Sequence, residues 1–434
     1  METLADYEQR KARECELLSH AVTTPSPDPA LCGVALHKVH LTRAIRRSAV
    51  DTDSFASETN WSGRTSFRIA DIGFRYNYQR FDLTISGPPV YVGTSASDVF
   101  ASPSTYFLCS GMAAAAAVLA STDRLLVTTA ELWTLSDAYF ETRHVAEHYT
   151  SKLMVRVGAS FAAIAAEACT SSTAIVAHLD SITAADWLPE LSLLGTMKVV
   201  LAVFDTTCYA RTAPRIVDVV QTLSRLGIPT VLIRSHLKLD SLGSEYGRLG
   251  SVVLCEAAGG TKVIDGLRHL LPDAIRSFGS AASPASFFPV EQSEEFLILT
   301  ARRTAAIADN AAVLADTLSR ELAGQRVQVR RYHHGMFVSL HDSNWVTSAA
   351  ISSLIDRALS SYRDLGRNGV HATSFGFDFP VLTEVCDVST GSFMLRIAPS
   401  DEPASYMSEL AGLIAKAWRD ACEDRQAMRT SYPH

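Results

Sequence analysis

The stretch that decides the fold runs from residue 199 to residue 238: VVLAVFDTTCYARTAPRIVDVVQTLSRLGIPTVLIRSHLK. It opens with a continuous apolar run from Val199 to Phe204, and this run stops at Asp205. A short apolar run of this kind is typical of a strand that is buried on both faces of a parallel sheet. The stretch therefore predicts a buried strand with a carboxylate at its C-terminal end.

A helix and a second strand follow this strand. Residues 216–226 carry apolar side chains at helical spacing, and an apolar strand from Thr230 to Ile233 comes after a Gly-Ile-Pro turn. The strand leads into Ser235 and Lys238. Two parallel strands joined by a crossover helix bring a carboxylate and an amine to one edge of the sheet, where ligands of open α/β folds bind.

Two motifs resemble those of pyridoxal-phosphate (PLP) enzymes of the aspartate-aminotransferase fold, or fold type I. Asp205 followed by Ser235-x-x-Lys238 is similar to the Asp and the S-x-x-K of these enzymes, in which the lysine carries PLP as a Schiff base. Upstream, residues 110–114 read S-G-M-A-A, the sequence that opens the phosphate-binding helix in the cystathionine lyase and synthase branch. The resemblance spans about residues 75–400.

The alternation of apolar strands and helices predicts an α/β fold with a mostly parallel central sheet and helices on both faces. We expect an N-terminal arm at residues 1–60, a large PLP-binding domain at 61–285 and a smaller α+β C-terminal domain at 286–434. The predicted strands of the large domain include one at residues 125–128.

Composition favours a protein that acts on small molecules. The chain has 434 residues, a formal net charge of −7 and no basic tract, which argues against nucleic-acid binding. Its eight cysteines are scattered without C-x-x-C pairs, as in reduced cytosolic proteins. The N-terminus lacks the pattern of a signal peptide, and the longest apolar region, residues 159–179, is interrupted by Glu167. We therefore expect a cytoplasmic protein without a membrane span.

The resemblance assigns roles to the motif residues. Lys238 would hold PLP and move protons at the substrate, while Asp205 would pair with the pyridinium nitrogen. Ser110, Gly111 and Met112 at a helix start, together with the Ser235 hydroxyl, would bind the phosphate. Lys262 is a rival for the lysine role, but it has no serine three residues before it.

A Tyr-x-Arg from a neighbouring subunit completes the phosphate site in this branch. Tyr78 and Arg80 fit this pattern, and Arg75-Tyr76 is a local alternative. Such a site implies at least a homodimer, and a homotetramer is equally compatible with it.

The chain departs from the family at the cofactor ring. In place of the stacking tyrosine, which lies in a D-x-Y-G-G-T context, we expect Trp133. The family's E-x-x-x-N-P is missing, and His178 to Ser181 occupy its place. Near the C-terminus, Arg396 resembles the arginine that grips the substrate carboxylate.

No metal site is expected, because the adjacent histidines at 333–334 point to opposite faces of a strand.

The resemblance implies a PLP-dependent lyase that eliminates a γ- or β-substituent, such as a halide or thiol, from an amino acid. The alternatives are an aminotransferase, a γ-replacement synthase and a catalytically silent protein of the same fold. The aromatic stretch at residues 375–379 would line the substrate's side-chain pocket.

Overall fold

The computed structural model describes residues 2–22, 34–57, 66–69, 72–75, 88–92, 104–168, 173–255, 262–342, 347–387 and 392–431. The chain forms two compact units: residues 12–301 are one, and residues 1–11 together with 302–434 are the other. The boundaries drawn from the sequence at residues 60 and 285 stay a prediction.

The elements of the first unit alternate as the sequence predicts. In chain order they are α1 (Leu4–Ser19, which begins in the other unit), α2 (Val34–Ser57), β1 (Ser66–Ile69), β2 (Ile72–Arg75), β3 (Ser104–Leu108), α3 (Gly111–Leu125), β4 (Ala130–Leu135), α4 (Phe140–Tyr149), β5 (Leu153–Gly158), α5 (Phe161–Ala168), β6 (Ala174–Asp180), a 3₁₀ helix (Leu188–Thr196), β7 (Val199–Asp205), α6 (Pro214–Arg225), β8 (Thr230–Ser235), β9 (Gly250–Cys255), α7 (Lys262–Ser277) and a short 3₁₀ turn (Pro284–Ser286).

Seven of these strands form one sheet in the order β3-β9-β8-β7-β6-β4-β5. The pairs from β8 to β5 are parallel, whereas β9 runs antiparallel to both of its neighbours. The prediction of a mostly parallel central sheet is therefore confirmed. Its parallel strands end at a common edge, which collects whatever side chains follow them.

Helices cover both faces of this sheet, and successive side chains of each strand point alternately to the two faces. Leu132, Val203 and Ile233 lie in a buried cluster with α3 and α7. Trp133 and Phe204, on the opposite face, lie in a second cluster with α5 and α6. Because both faces are covered, the strands read as continuous apolar runs in the sequence.

The elements of the second unit are α8 (Glu294–Glu321, which begins in the first unit), β10 (Gln328–Arg331), β11 (Val338–His341), α9 (Ser348–Asp364), β12 (Val370–His371), β13 (Val381–Asp387), β14 (Ser392–Ala398) and α10 (Ala404–Ser431). The five strands form a smaller sheet in the order β10-β11-β14-β13-β12. The α+β character expected for the C-terminal part of the chain is confirmed.

The strand expected at residues 125–128 is wrong. Leu125 is the last residue of α3, and Val127 is 95 % exposed in the connection before β4. Three apolar residues in a row are too few to distinguish a strand from a helix end. Among the helices of the described ranges, none combines the length and apolar character that spanning a membrane requires.

Candidate functional site

Polar side chains cluster where three neighbouring parallel strands end. Asp180 ends β6, Asp205 ends β7 and Ser235 ends β8, and Asp180 is the direct cross-strand partner of Asp205. The backbone N–H of Ser235 donates to the hydroxyl of Thr207, 3.0 Å away, which ties the segment after β7 to the end of β8. By strand alternation, all three side chains lie on the face that carries α3.

Lys238 lies three residues beyond this edge. It is half-buried in the turn that follows β8. The structure therefore places Asp205 and Ser235 at adjacent strand ends and Lys238 in the turn that follows, and the roles of these residues stay a prediction.

The start of α3 meets the end of β8. Ser110 caps the helix by accepting a hydrogen bond from the backbone N–H of Ala113 at 3.0 Å. A methyl group added at Gly111 would lie 2.7 Å from the Cβ of Ser235. One added at Gly250 would lie 2.1 Å from the carbonyl oxygen of Ser110. Only glycine allows this close approach, which places the N–H groups at the helix start beside the Ser235 backbone.

Asp205 is held in a strongly perturbed environment. Its Oδ1 accepts from the backbone N–H of Thr207 at 2.8 Å. Burial, and after it the neighbouring carboxyl of Asp180, raise the pKa of Asp205 to about 6, while hydrogen bonds from Thr207 and the nearby His178 act in the opposite direction. A cation placed against this carboxyl would favour its ionised form.

His178 adds an imidazole to the same face of the sheet. It is only 2 % exposed, and its Nδ1 lies 3.0 Å from the hydroxyl of Thr134. Its Nε2 is buried without a hydrogen-bond partner among the described residues. Burial lowers the pKa of His178 to about 4, partly offset by Asp205, so the ring is neutral at physiological pH.

Tyr139 is a candidate that the sequence analysis missed. It lies at the N-terminus of α4, and its backbone N–H donates to Oδ2 of Asp180 at 2.7 Å. Its hydroxyl donates to Glu141 at 2.8 Å. Residues 137–142 read D-A-Y-F-E-T, which keeps the D-x-Y-x-x-T spacing of the family but replaces the two glycines. The absence of these glycines conceals the match in the sequence. The spacing of the aspartate, tyrosine and threonine is the signal that could have revealed it.

The structure does not bring Trp133 to this group. Its side chain is 2 % exposed and lies in the buried cluster on the opposite face of the sheet from Asp205. Its indole N–H donates to Glu131 at 3.0 Å. Packing in the core accounts for Trp133, whereas Tyr139 contacts Asp180 at the end of β6.

The other residues predicted from the sequence are taken one by one. Arg396 is on β14 in the other unit, where its guanidinium lies 4.6 Å above the centre of the Phe337 ring. Tyr78 and Arg80 lie outside the described residues, so their role stays a prediction. The rival Lys262 is exposed at the start of α7. Within the part of the chain that the structure describes, His, Cys, Asp and Glu side chains form no group suited to a metal ion.

Comparison with solved structures shows the fold. One of the matching chains is an enzyme described as an O-acetylhomoserine (thiol)-lyase from Campylobacter jejuni, in which a lysine carries a pyridoxyl phosphate group. The match has a TM-score of 0.51 and 14% sequence identity, and it covers 71% of this chain and 81% of the other.

The chain has the fold of the fold-type-I PLP enzymes. This confirms the fold that the motifs implied. Neither sequence-family models nor curated proteins gave a match.

Proposed function

We propose that the protein is a PLP-dependent enzyme that eliminates a γ- or β-substituent from an amino acid. The observation that carries the proposal is the meeting, at one edge of the parallel sheet, of Lys238, Asp205 and the close-packed start of α3 against Ser235. The similarity to a thiol-lyase favours the lyase and synthase branch of the fold.

The residues present fit the cofactor. The N–H groups at Gly111 and Met112, together with the Ser235 hydroxyl, would hold its phosphate, because a helix N-terminus favours an anion. Asp205 suits the ring nitrogen, since a positive partner offsets the cost of ionising a buried carboxyl. Tyr139 would lie against the ring, in the place first expected of Trp133.

When bound, PLP withdraws electrons from the substrate's α-carbon. Lys238 would supply the base once the substrate's amine has displaced its ε-amine from the cofactor. The free ε-amine would remove the proton from Cα for loss of a β-substituent and, for loss of a γ-substituent, a second proton from Cβ, and it would pass each proton to water. The substituent would leave with the electrons of its bond to carbon. Asp205 would stay ionised beside the ring nitrogen and would stabilise a positive charge there.

The proposal also covers substrate binding and the oligomeric state. Arg396 would bind the α-carboxylate of a small amino-acid substrate, and the aromatic stretch at 375–379 would suit a modest apolar side chain carrying the leaving group. Phe375 packs edge-on against Phe337 at 5.0 Å, and Phe337 also carries the Arg396 guanidinium, so these groups form one neighbourhood within their unit. We expect a homodimer or homotetramer, in which Tyr78 and Arg80 act on a neighbouring subunit.

The first prediction concerns cofactor attachment. Purified protein mixed with PLP should be yellow, and borohydride reduction followed by peptide mass spectrometry should find the cofactor on Lys238. Lys238→Ala should lose this adduct, whereas the matched control Lys262→Ala should keep it. An adduct on Lys262, or none in the parent protein, would refute the assignment.

The second prediction separates elimination from transamination. Incubation with γ-substituted amino acids bearing thioether or halide groups, in deuterated water, should release the substituent and place deuterium at Cα or Cβ of the product. An aminotransferase would instead yield stoichiometric pyridoxamine phosphate and release no substituent. A γ-replacement synthase would transfer the carbon chain to an added thiol, so a parallel reaction with and without a thiol identifies it.

A further inference from the structure

A buried arginine stands at the base of the turn that carries Lys238. Arg234 is the last residue but one of β8, and it is fully buried. Its Nε and Nη2 each lie 2.7 Å from a carboxylate oxygen of Asp240. This two-pronged contact joins the residues four before and two after Lys238, and so closes the turn around it.

The same guanidinium reaches the neighbouring strand end. Nη1 of Arg234 donates to the carbonyl oxygens of Thr206 and Tyr209, each at 2.8 Å. Thr206 directly follows Asp205. One side chain therefore fixes both the segment that carries the lysine and the segment that carries the carboxylate.

His236 braces the turn from within. Its Nδ1 lies 2.8 Å from Oδ2 of Asp240, and its Nε2 lies 2.9 Å from the hydroxyl of Ser251. This order of carboxylate, imidazole and hydroxyl resembles a hydrolase triad in geometry. Ser251 is 1 % exposed within β9, however, so a substrate cannot reach it, and the three groups serve as a brace.

The charges around Asp240 favour one fixed geometry for this contact. Burial raises the pKa of Asp240, but Arg234, His236 and Arg211 together hold it well below its usual range, so the carboxylate stays ionised. A buried ion pair of this kind adds little net stability over apolar packing, yet it demands a specific geometry. The planar guanidinium of an arginine satisfies that geometry with two parallel N–H groups, whereas the ammonium group of a lysine does not.

We propose that Arg234 is a positioning residue: through Asp240 and the carbonyls of Thr206 and Tyr209, it sets the place of Lys238 relative to Asp205. The consequence for PLP attachment rests on the function proposed above. The coupling of the two segments does not, because it is a property of the protein alone.

The test compares Arg234→Lys with Arg303→Lys. Arg303 is a buried arginine of the other unit that is paired with Asp378 and Asp401, so its replacement controls for general destabilisation. Hydrogen exchange of the PLP-free protein should quicken at residues 206–210 and 236–241 in Arg234→Lys only. The fraction of bound PLP that borohydride fixes to Lys238 should fall at least about tenfold, the change produced by a loss of ~1.4 kcal/mol.

Asp240→Asn provides a second variant if Arg234→Lys does not fold, and the same two results are expected of it. Unchanged exchange in both segments, or faster exchange with an unchanged trapped fraction, would overturn the positioning role. If the parent protein fixes no PLP, the proposed function fails, and the exchange experiment alone decides whether Arg234 couples the two segments.

Discussion

Glu291 shows how strongly burial perturbs single residues near the Lys238 turn. It is 3 % exposed, and its Oε2 lies 3.6 Å from Nη1 of Arg211. Burial raises the pKa of Glu291 to about 7, although Arg211 partly offsets this rise. Its Oε1 has no hydrogen-bond partner among the described residues, and Glu291 lines a cavity of about 10 Å³, close to the space for one water molecule.

The third prediction follows from this raised pKa. Between pH 4.5, the ordinary pKa of a glutamate, and about pH 7, the folded protein keeps a proton on Glu291 that the unfolded chain has released. The proton therefore stabilises the fold fully below pH 4.5, and this contribution is lost as the pH rises through 7. The free energy of unfolding of the parent protein should therefore fall by up to about 3 kcal/mol across this pH window, relative to that of the Glu291→Gln variant.

Urea unfolding of both proteins at several pH values between 4.5 and 8 would measure this difference. Glutamine has nearly the size of glutamate but cannot ionise, so the comparison isolates the effect of ionisation from that of side-chain size. A difference between the two proteins that does not change with pH would show that the burial of Glu291 does not govern its ionisation.

At the scale of elements, the strands of the central sheet could be predicted because burial on both faces leaves an apolar run. The run at 199–204 becomes β7, with Asp205 at its end as expected. By contrast, the sequence does not predict β13, because Thr383 and Glu384 interrupt its apolar pattern. The sequence does predict strands around residues 327–340 and at residues 393–398, where β10, β11 and β14 lie.

The candidate site was only partly predictable, because it depends on which elements become neighbours. Ser110, Gly111, Asp205, Ser235 and Lys238 lie at element ends, where short motifs mark them. Tyr139 takes its place from a hydrogen bond to Asp180, a residue 41 positions later in the chain. That contact exists because β4 and β6 are neighbours in the sheet, and local sequence carries no information on strand order.

At the scale of the whole molecule, the start of the chain completes the unit formed by its end. Arg10 is 1 % exposed and forms an ion pair with the fully buried Asp401. Lys11 lies 2.6 Å from Asp378 and 2.8 Å from Asp401. An amphipathic N-terminal helix can be read from the sequence, but the residues it packs against, nearly four hundred positions away, cannot.

The last prediction tests this closure. Arg10→Met removes one cation from the buried carboxylate of Asp401, and breaking a buried pair in this way typically costs roughly 3–5 kcal/mol of unfolding free energy. Arg13→Met, three residues along the same helix, breaks a pair with Glu295 in which the arginine side chain is 46% exposed, and should cost about 1 kcal/mol or less. Lys11 and Arg303 still face Asp401 in the Arg10 variant, so its loss should fall at the lower end of the range. Urea unfolding of the full-length variants measures both changes, and equal losses would mean that the first eleven residues do not stabilise the C-terminal unit through this buried charge.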